Sequence, residues 1–263
     1  MSTGPRRFKE RLAADLLTPL FCLARLPEPL MVEMFGLAGG YAGFWLDQEH
    51  DQVSTRQMLA VALAARANQM DCFVRMAPTN YAAVTQCFES GMGGVMAAQI
   101  SSADQAAEFV SWTKFAPQGT RGMNMSGFDA HYTHRPLHEF VSGANEDGFV
   151  AIQIETTGAV DQVDEIAALA GVDLLFVGPV DLSLALGVVG QFHHDKLWEA
   201  IGKVAEACRR HGKHWGCVAP DPEFAARAIE NGCKMPTVGN DVVAVRRGIA
   251  ALQGGFSAVF PAD

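Results

Sequence analysis

Short apolar runs alternate with longer segments of helical period along nearly the whole chain. Buried parallel strands joined by crossover helices read this way, because a strand covered on both faces loses its polar alternation while each helix keeps one wet face. Eight runs fit strands: Leu20–Leu23, Gly43–Leu46, Cys72–Arg75, Gly94–Ala97, Val150–Ile154, Leu174–Val177, Trp215–Val218 and Pro236–Val238. The helical period predicts helices over Pro29–Leu37, Thr55–Asn68, Tyr81–Glu89, Ala103–Trp112, Val160–Leu169, Asp195–His211, Pro222–Glu230 and Val242–Leu252. Ser54 and the pair Asp221-Pro222 are helix starts, and Gly39, Gly91, Gly171, Gly212 and Gly232 stand where helices should stop. Eight alternating units without a central break in composition predict an α/β protein of one domain, a closed (β/α)8 TIM barrel over residues 1–263. An N-terminal arm or surface helix covers about residues 1–17, and a loose tail begins at Gly254-Gly255 and runs over 254–263.

One segment does not fit the repeat. Phe115 to Glu146 lies between the fourth helix and the fifth strand, which is the bottom of a barrel, and is longer than a plain connection. A stretch of this length is functional or carries small helices of its own, and to serve a site it would have to climb over the edge or reach a neighbouring subunit.

Composition narrows the partners. Of 263 residues 49% are hydrophobic and 19% charged, enough for one large core, and the net charge of -9 argues against nucleic acid or an anionic membrane surface. The apolar region from Leu20 to Leu46 is interrupted by Arg25, Glu28 and Glu33, so it does not read as a membrane span. Six cysteines, none in a Cys-x-x-Cys pair, sit mostly in apolar runs and read as reduced thiols of a cytoplasmic protein.

Barrel enzymes carry their chemistry at the carboxyl ends of the strands. There the chain has Asp47-Gln48-Glu49-His50 after the second strand, Arg75 ending the third, Gln153 and Glu155 on the fifth, and Gly178-Pro179-Val180-Asp181-Leu182-Ser183 after the sixth. Glu155 and Asp181 fall at the ends of neighbouring strands. Two carboxylates there are poor core residues without a counter-charge, and an all-oxygen set suits Mg²⁺ or Mn²⁺, with Co²⁺ a further candidate. The plainer reading is that each caps a helix. His50 is a candidate base, with Asp47 placed to hold its ring in one tautomer. Arg75 needs an anion, which a substrate or simply Asp47 or Glu49 would supply. His131, His134 and His138 have the spacing of one helical face, but Pro136 interrupts it. Lys9, Lys114, Lys196, Lys203, Lys213 and Lys234 all fall away from the strand ends, which argues against Schiff-base chemistry.

Over nearly its whole length the chain resembles the HpcH/HpaI aldolase family, metal-dependent pyruvate aldolases within the phosphoenolpyruvate/pyruvate barrel superfamily. The resemblance rests on Asp47-Gln48-Glu49-His50, Val74-Arg75, Pro117 to Gly122, Gln153-Ile154-Glu155-Thr156, Glu165 to Asp173 and Phe176 to Ser183. It implies Glu155 and Asp181 as metal ligands, His50 with Asp47 as the acid-base pair, and Arg75 as the group that stabilises a pyruvate enolate. Gln153 would border the oxo acid, and the backbone amides around Val180 and Asp181 would hold its carboxylate. The implied reaction cleaves or forms 4-hydroxy-2-oxo acids, giving pyruvate and an aldehyde, in a homo-oligomer, typically a hexamer that exchanges its last helix. The alternatives are a citramalyl, malyl or citryl thioester lyase, for which no basic cluster marks a carrier site, and a catalytically idle barrel that binds an oxo acid. The chain departs from the family pattern at Phe21 to Arg25, Gln48, Ala98-Gln99 and Met123-Asn124-Met125, positions assigned to the aldehyde side of the pocket.

Overall fold

Side chains alternate across a strand, so each apolar run is sorted into two layers. In the computed structural model, which describes residues 7–260, strands β1 (Leu20–Leu23), β2 (Gly43–Asp47), β3 (Asp71–Met76), β4 (Gly94–Ala97), β5 (Phe149–Ile154), β6 (Leu174–Val177), β7 (His214–Val218) and β8 (Cys233–Asn240) pair in parallel, in chain order, and close into a barrel. Cys22, Trp45, Phe73, Met96, Ala151, Phe176 and Met235 fill its inside. Their strand neighbours Phe44, Leu46, Cys72, Val74, Ile152 and Leu175 face outward into a larger core shared with the helices. All six cysteines are buried and unbridged.

The helices are α1 (Phe8–Ala13), α2 (Pro29–Ala38), α3 (Thr55–Ala67), α4 (Tyr81–Glu89), α5 (Ala103–Thr113), α6 (Leu137–Asp147), α7 (Thr157–Asp161), α8 (Val163–Ala168), α9 (Pro179–Ala185), α10 (Asp195–Arg210), α11 (Pro222–Glu230) and α12 (Asp241–Gly255). The eight strands stand where the apolar runs put them, with ends that differ by a few residues. The helix expected over Val160–Leu169 is two short helices broken at Gln162, whose side-chain oxygen accepts a hydrogen bond from the Ala103 N–H at 2.8 Å.

Both ends of the chain are more ordered than the sequence suggested. α1 is no mere surface helix: Phe8 is fully buried, its ring 5.6 Å from those of both Phe73 and Phe149, and it closes the amino end of the barrel. Gly43 makes the room, since a Cβ there would lie 2.7 Å from the Phe8 ring and 2.1 Å from the Asp71 carbonyl oxygen. At the other end α12 runs through Gly254 and Gly255, because two glycines cost an established helix only about 1 kcal/mol each. Residues 1–6 and 261–263 of the predicted arm and tail lie outside the described residues. Of α12 only Asp241 is buried, while Val242, Val245, Ile249 and Leu252 are exposed. Among the described residues no helix is long and apolar enough to cross a membrane.

Candidate active site

The inward parity of β2, β3 and β5 sets the site. Two residues beyond Trp45 is Asp47, two beyond Phe73 is Arg75, and two and four beyond Ala151 are Gln153 and Glu155, so one periodicity carries the core upward into a polar layer. Asp47 and Arg75 are register partners across β2 and β3. Their side chains meet as a two-point pair: the Arg75 Nε donates to Asp47 Oδ1 at 3.1 Å and Nη2 to Oδ2 at 2.7 Å. Nη1 lies 3.3 Å from Glu49 Oε2, and the guanidinium carbon 5.0 Å from the Trp45 ring centre. Burial works against the Arg75 charge, but the hydrogen bond and charge of Asp47, with Glu49 and Glu155, outweigh it and raise its pKa. Arg75 is thus fixed and permanently charged.

Asp47 does not hold the ring of His50, as the sequence suggested. Its Oδ1 is occupied by the N–H groups of Glu49 and His50, at 3.1 and 3.3 Å, and by Arg75. The turn after β2 curls back on its own carboxylate. The His50 ring instead faces Glu49, with Nε2 3.7 Å from Oε2, and its side chain is 61% exposed at the rim. Glu49, which sequence reasoning kept only as a partner for Arg75, therefore links the cation to the imidazole. The signal was its place inside the same four-residue motif.

Glu155 is 1% exposed. Its Oε1 accepts from the Gln99 N–H at 2.8 Å and its Oε2 from Gln153 Nε2 at 2.5 Å. Burial pushes its pKa up to about 7; the Gln99 N–H opposes this, while the charges of Glu49 and Asp181 add to it. Asp181 is therefore within electrostatic reach of Glu155, as the neighbouring strands implied. It sits in the first turn of α9, where Pro179 opens the helix, and makes no capping hydrogen bond there. Nor does Glu155 cap a helix: α7 is capped by Thr156, whose Oγ1 accepts from the Ala159 N–H at 3.0 Å. Gly178 is required here, because a Cβ would come within 2.5 Å of Glu155 Oε2 and 2.6 Å of Gln153 Nε2. Val180 is exposed, and the N–H groups of Val180 and Asp181, in the first turn of α9, have no acceptor within the helix.

These side chains gather at one end of the barrel beside a cavity of about 810 Å³ that reaches Asp47, Arg75, Trp45 and Cys22 from between β8, α11 and α12. Two buried oxygens in the polar layer make no hydrogen bond: Gln153 Oε1, and Glu49 Oε2, which has only its ion-pair contacts with Arg75 and His50. Such acceptors, beside a carboxyl whose proton is retained by burial, are what a hard divalent cation and its water shell would satisfy. Among the described residues no three His, Cys, Asp or Glu side chains converge as a metal cage. Two carboxylates would leave most of a six-coordinate shell to water and substrate.

Other sequence candidates lie elsewhere. His131 and His134 fall in a turn whose residues 131–133 are left-handed, and His138 lies in the first turn of α6, so the three residues share no helical face. Arg121 pairs with Asp129 at the amino end, between the Phe88 and Phe115 rings. Met123 is exposed and Asn124 lies against α3 and α4, so this departure does not border the pocket beside Arg75. Gln99 reaches the polar layer through its backbone N–H, which donates to Glu155. The side chain of Gln48 turns to the Val53 carbonyl at 3.2 Å.

The HpcH/HpaI aldolase/citrate lyase family model matches residues 28–247, a span that contains every residue of this polar layer. The chain belongs to this family. Within it, a 5-keto-4-deoxy-D-glucarate aldolase of Klebsiella pneumoniae subsp. pneumoniae is 30% identical over 252 residues, covering 96% of this chain and 97% of the relative. An HpcH/HpaI aldolase from Desulfitobacterium hafniense DCB-2 superposes with a TM-score of 0.89 at 29% identity, covering 96% and 97% of the two chains. An HpcH/HpaI aldolase/citrate lyase family protein from Burkholderia cenocepacia J2315 does so with 0.86 at 30%, covering 95% and 99%. As a member of the HpcH/HpaI family the chain is an enzyme of the aldolase type, with a small-molecule substrate.

Proposed function

We propose that this HpcH/HpaI family member is a divalent-metal-dependent pyruvate aldolase acting on 4-hydroxy-2-oxo acids of the sugar-acid type. The observation that carries the reading is the buried polar layer of Asp47, Arg75, Gln153 and Glu155, with Asp181 beside it, at the carboxyl end of a barrel whose relatives include a 5-keto-4-deoxy-D-glucarate aldolase. Glu155 and Asp181 are the protein ligands of Mg²⁺ or Mn²⁺ in this reading, with Co²⁺ a further candidate. The ion, when bound, supplies Lewis-acid polarisation of the 2-oxo group.

The chain's own residues do the rest. Arg75, immobilised by Asp47 and Glu49, presents a fixed positive charge where negative charge gathers on the oxo oxygen as the C3–C4 bond breaks. Gln153, tied to Glu155, borders the oxo acid, and the N–H groups of Val180 and Asp181 donate to its carboxylate. His50, exposed at the rim and facing Glu49, takes the proton from the 4-hydroxyl, so the aldehyde leaves toward solvent; a proton then returned to C3 completes pyruvate. We place the protein in the cytoplasm, on its unbridged cysteines. We further propose a homo-oligomer, a hexamer by family resemblance, in which the exposed apolar face of α12 packs on a second copy of the chain.

The test is pyruvate release from a panel of 4-hydroxy-2-oxo acids, before and after exhaustive chelation, with borohydride present in a parallel arm. The reading requires release that stops on chelation and returns with Mg²⁺ or Mn²⁺. Release that survives chelation, or pyruvate trapped covalently by borohydride, would replace it with a lysine mechanism.

A further inference from the structure

The segment that no catalytic argument absorbed, Phe115 to Glu146, builds a second cavity at the opposite end of the barrel. It measures about 360 Å³ and lies below the amino ends of β3, β4 and β5, where Asp71, Gly93 and Gly148 line it. The length of β3 separates it from Arg75. That size suits a small molecule, at the low end of the roughly 300–1,000 Å³ of ligand pockets.

Its charges do not balance. Four guanidinium groups line it, from Arg7, Arg66, Arg121 and Arg135, against three carboxylates. Asp147 is shared by Arg7 and Arg135, at 3.4 and 3.9 Å, and Asp129 is taken by Arg121. Asp71 is turned to the backbone, accepting from the N–H groups of Phe8 and Cys72 at 2.9 Å each, and burial pushes its pKa up. Arg66 has no carboxylate within 4 Å among the described residues, although the charge of Asp71 reaches it. Its Nη1 donates to the Gly91 carbonyl at 3.1 Å, and its guanidinium carbon lies 3.8 Å from the centre of the Phe128 ring. Burial lowers its pKa and outweighs the opposing charges of Cys72, Tyr132 and Asp71. Arg121 has a second deficit: its side chain is 2% exposed, yet its Nε has no acceptor. Two guanidinium groups, each beside aromatic rings, thus keep donor capacity that the described residues do not use. On a protein of net charge -9 this is a local positive site.

We propose that this amino-end cavity binds a small oxyanion, a phosphate or carboxylate group seated between Arg66 and Arg121. Planar guanidinium groups suit such anions, because paired N–H donors match two oxygens at once. The site is independent of the catalytic reading, since it lies at the other end of the barrel and shares no residue with it.

Titration calorimetry on metal-free protein tests it, with inorganic phosphate in one arm and succinate in the other. The expected result is saturable binding of one anion per chain, weakened about tenfold or more in Arg66→Gln, as loss of one charge-assisted hydrogen bond implies. The same binding should persist in Arg75→Lys, and Arg66→Gln should keep its aldolase turnover in anion-free buffer. The arm that binds more tightly identifies the source as a phosphate or a carboxylate. Should Arg66→Gln fold poorly, amide hydrogen exchange of the wild type serves instead, with the anion slowing exchange across residues 121–135. No binding in either arm, equal affinity in Arg66→Gln, loss of binding in Arg75→Lys, or protection confined to residues 47–50 and 178–182 would each overturn the proposal.

Discussion

Glu155 releases its proton at higher pH than ordinary carboxylates do. Its folded-state pKa of about 7 lies above the ordinary value of 4.5, mainly because it is buried, so the folded chain binds that proton more tightly than the unfolded chain does. Stability of the metal-free protein should therefore fall as pH rises from about 4.5 to about 7, by on the order of 3 kcal/mol. Glu155→Gln should remove that part of the pH dependence and be the more stable protein at pH 8, while losing activity. Urea unfolding of both proteins across this range checks it, and parallel curves would refute the assignment. His50→Ala should lower kcat by about a hundred- to ten-thousand-fold without altering stability, since the ring is exposed and only faces Glu49. Steady-state kinetics with a denaturation control measures both. At this scale the sequence showed which residues reach the mouth but not their pairing. The turn after β2 spends Asp47 on two backbone N–H groups and on Arg75, and a hydrogen-bond choice among neighbours three residues apart leaves no trace in spacing.

The strands were the most legible elements, because each is an apolar run buried on both faces. β1, β4 and β6 stand with the bounds their runs predict. The short helices were not legible. α9, with seven residues, is too short to show a helical period, whereas α6 has 11 residues with Phe140 and Ala144 one turn apart on its buried face and was missed inside the long 115–146 segment. α1 hid for another reason: only Phe8 and Leu12 of its six residues are buried, and nothing local says that Phe8 fits beneath a barrel. Phe8→Ala should cost about 3 to 5 kcal/mol, as truncation of a buried phenylalanine does. Denaturant unfolding measures that loss. The KM and kcat of the folded fraction should hold, since the plug lies at the end opposite Arg75.

For the whole molecule, the closed barrel followed from counting eight alternating units, whereas the fate of α12 did not. Its apolar face is sequence-evident, but a helix that packs on its own barrel and one that packs on a partner's show the same period. In the chain by itself that face is open, with Ile249 50% and Leu252 61% exposed. Ile249→Asp with Leu252→Asp should convert the proposed oligomer to smaller species in sedimentation velocity; a wild-type monomer at the same concentration would contradict the packing assigned to α12. The account as a whole depends on a bound dication between Glu155 and Asp181 making pyruvate acidic at C3, with the aldehyde needed only as its acceptor. Proton NMR of pyruvate in deuterated water reads that step without any aldehyde. The methyl signal should fade rapidly with protein and Mg²⁺, and persist after chelation or with Glu155→Gln. Exchange that continues in the chelated protein, or that never occurs with any divalent metal, would contradict the account.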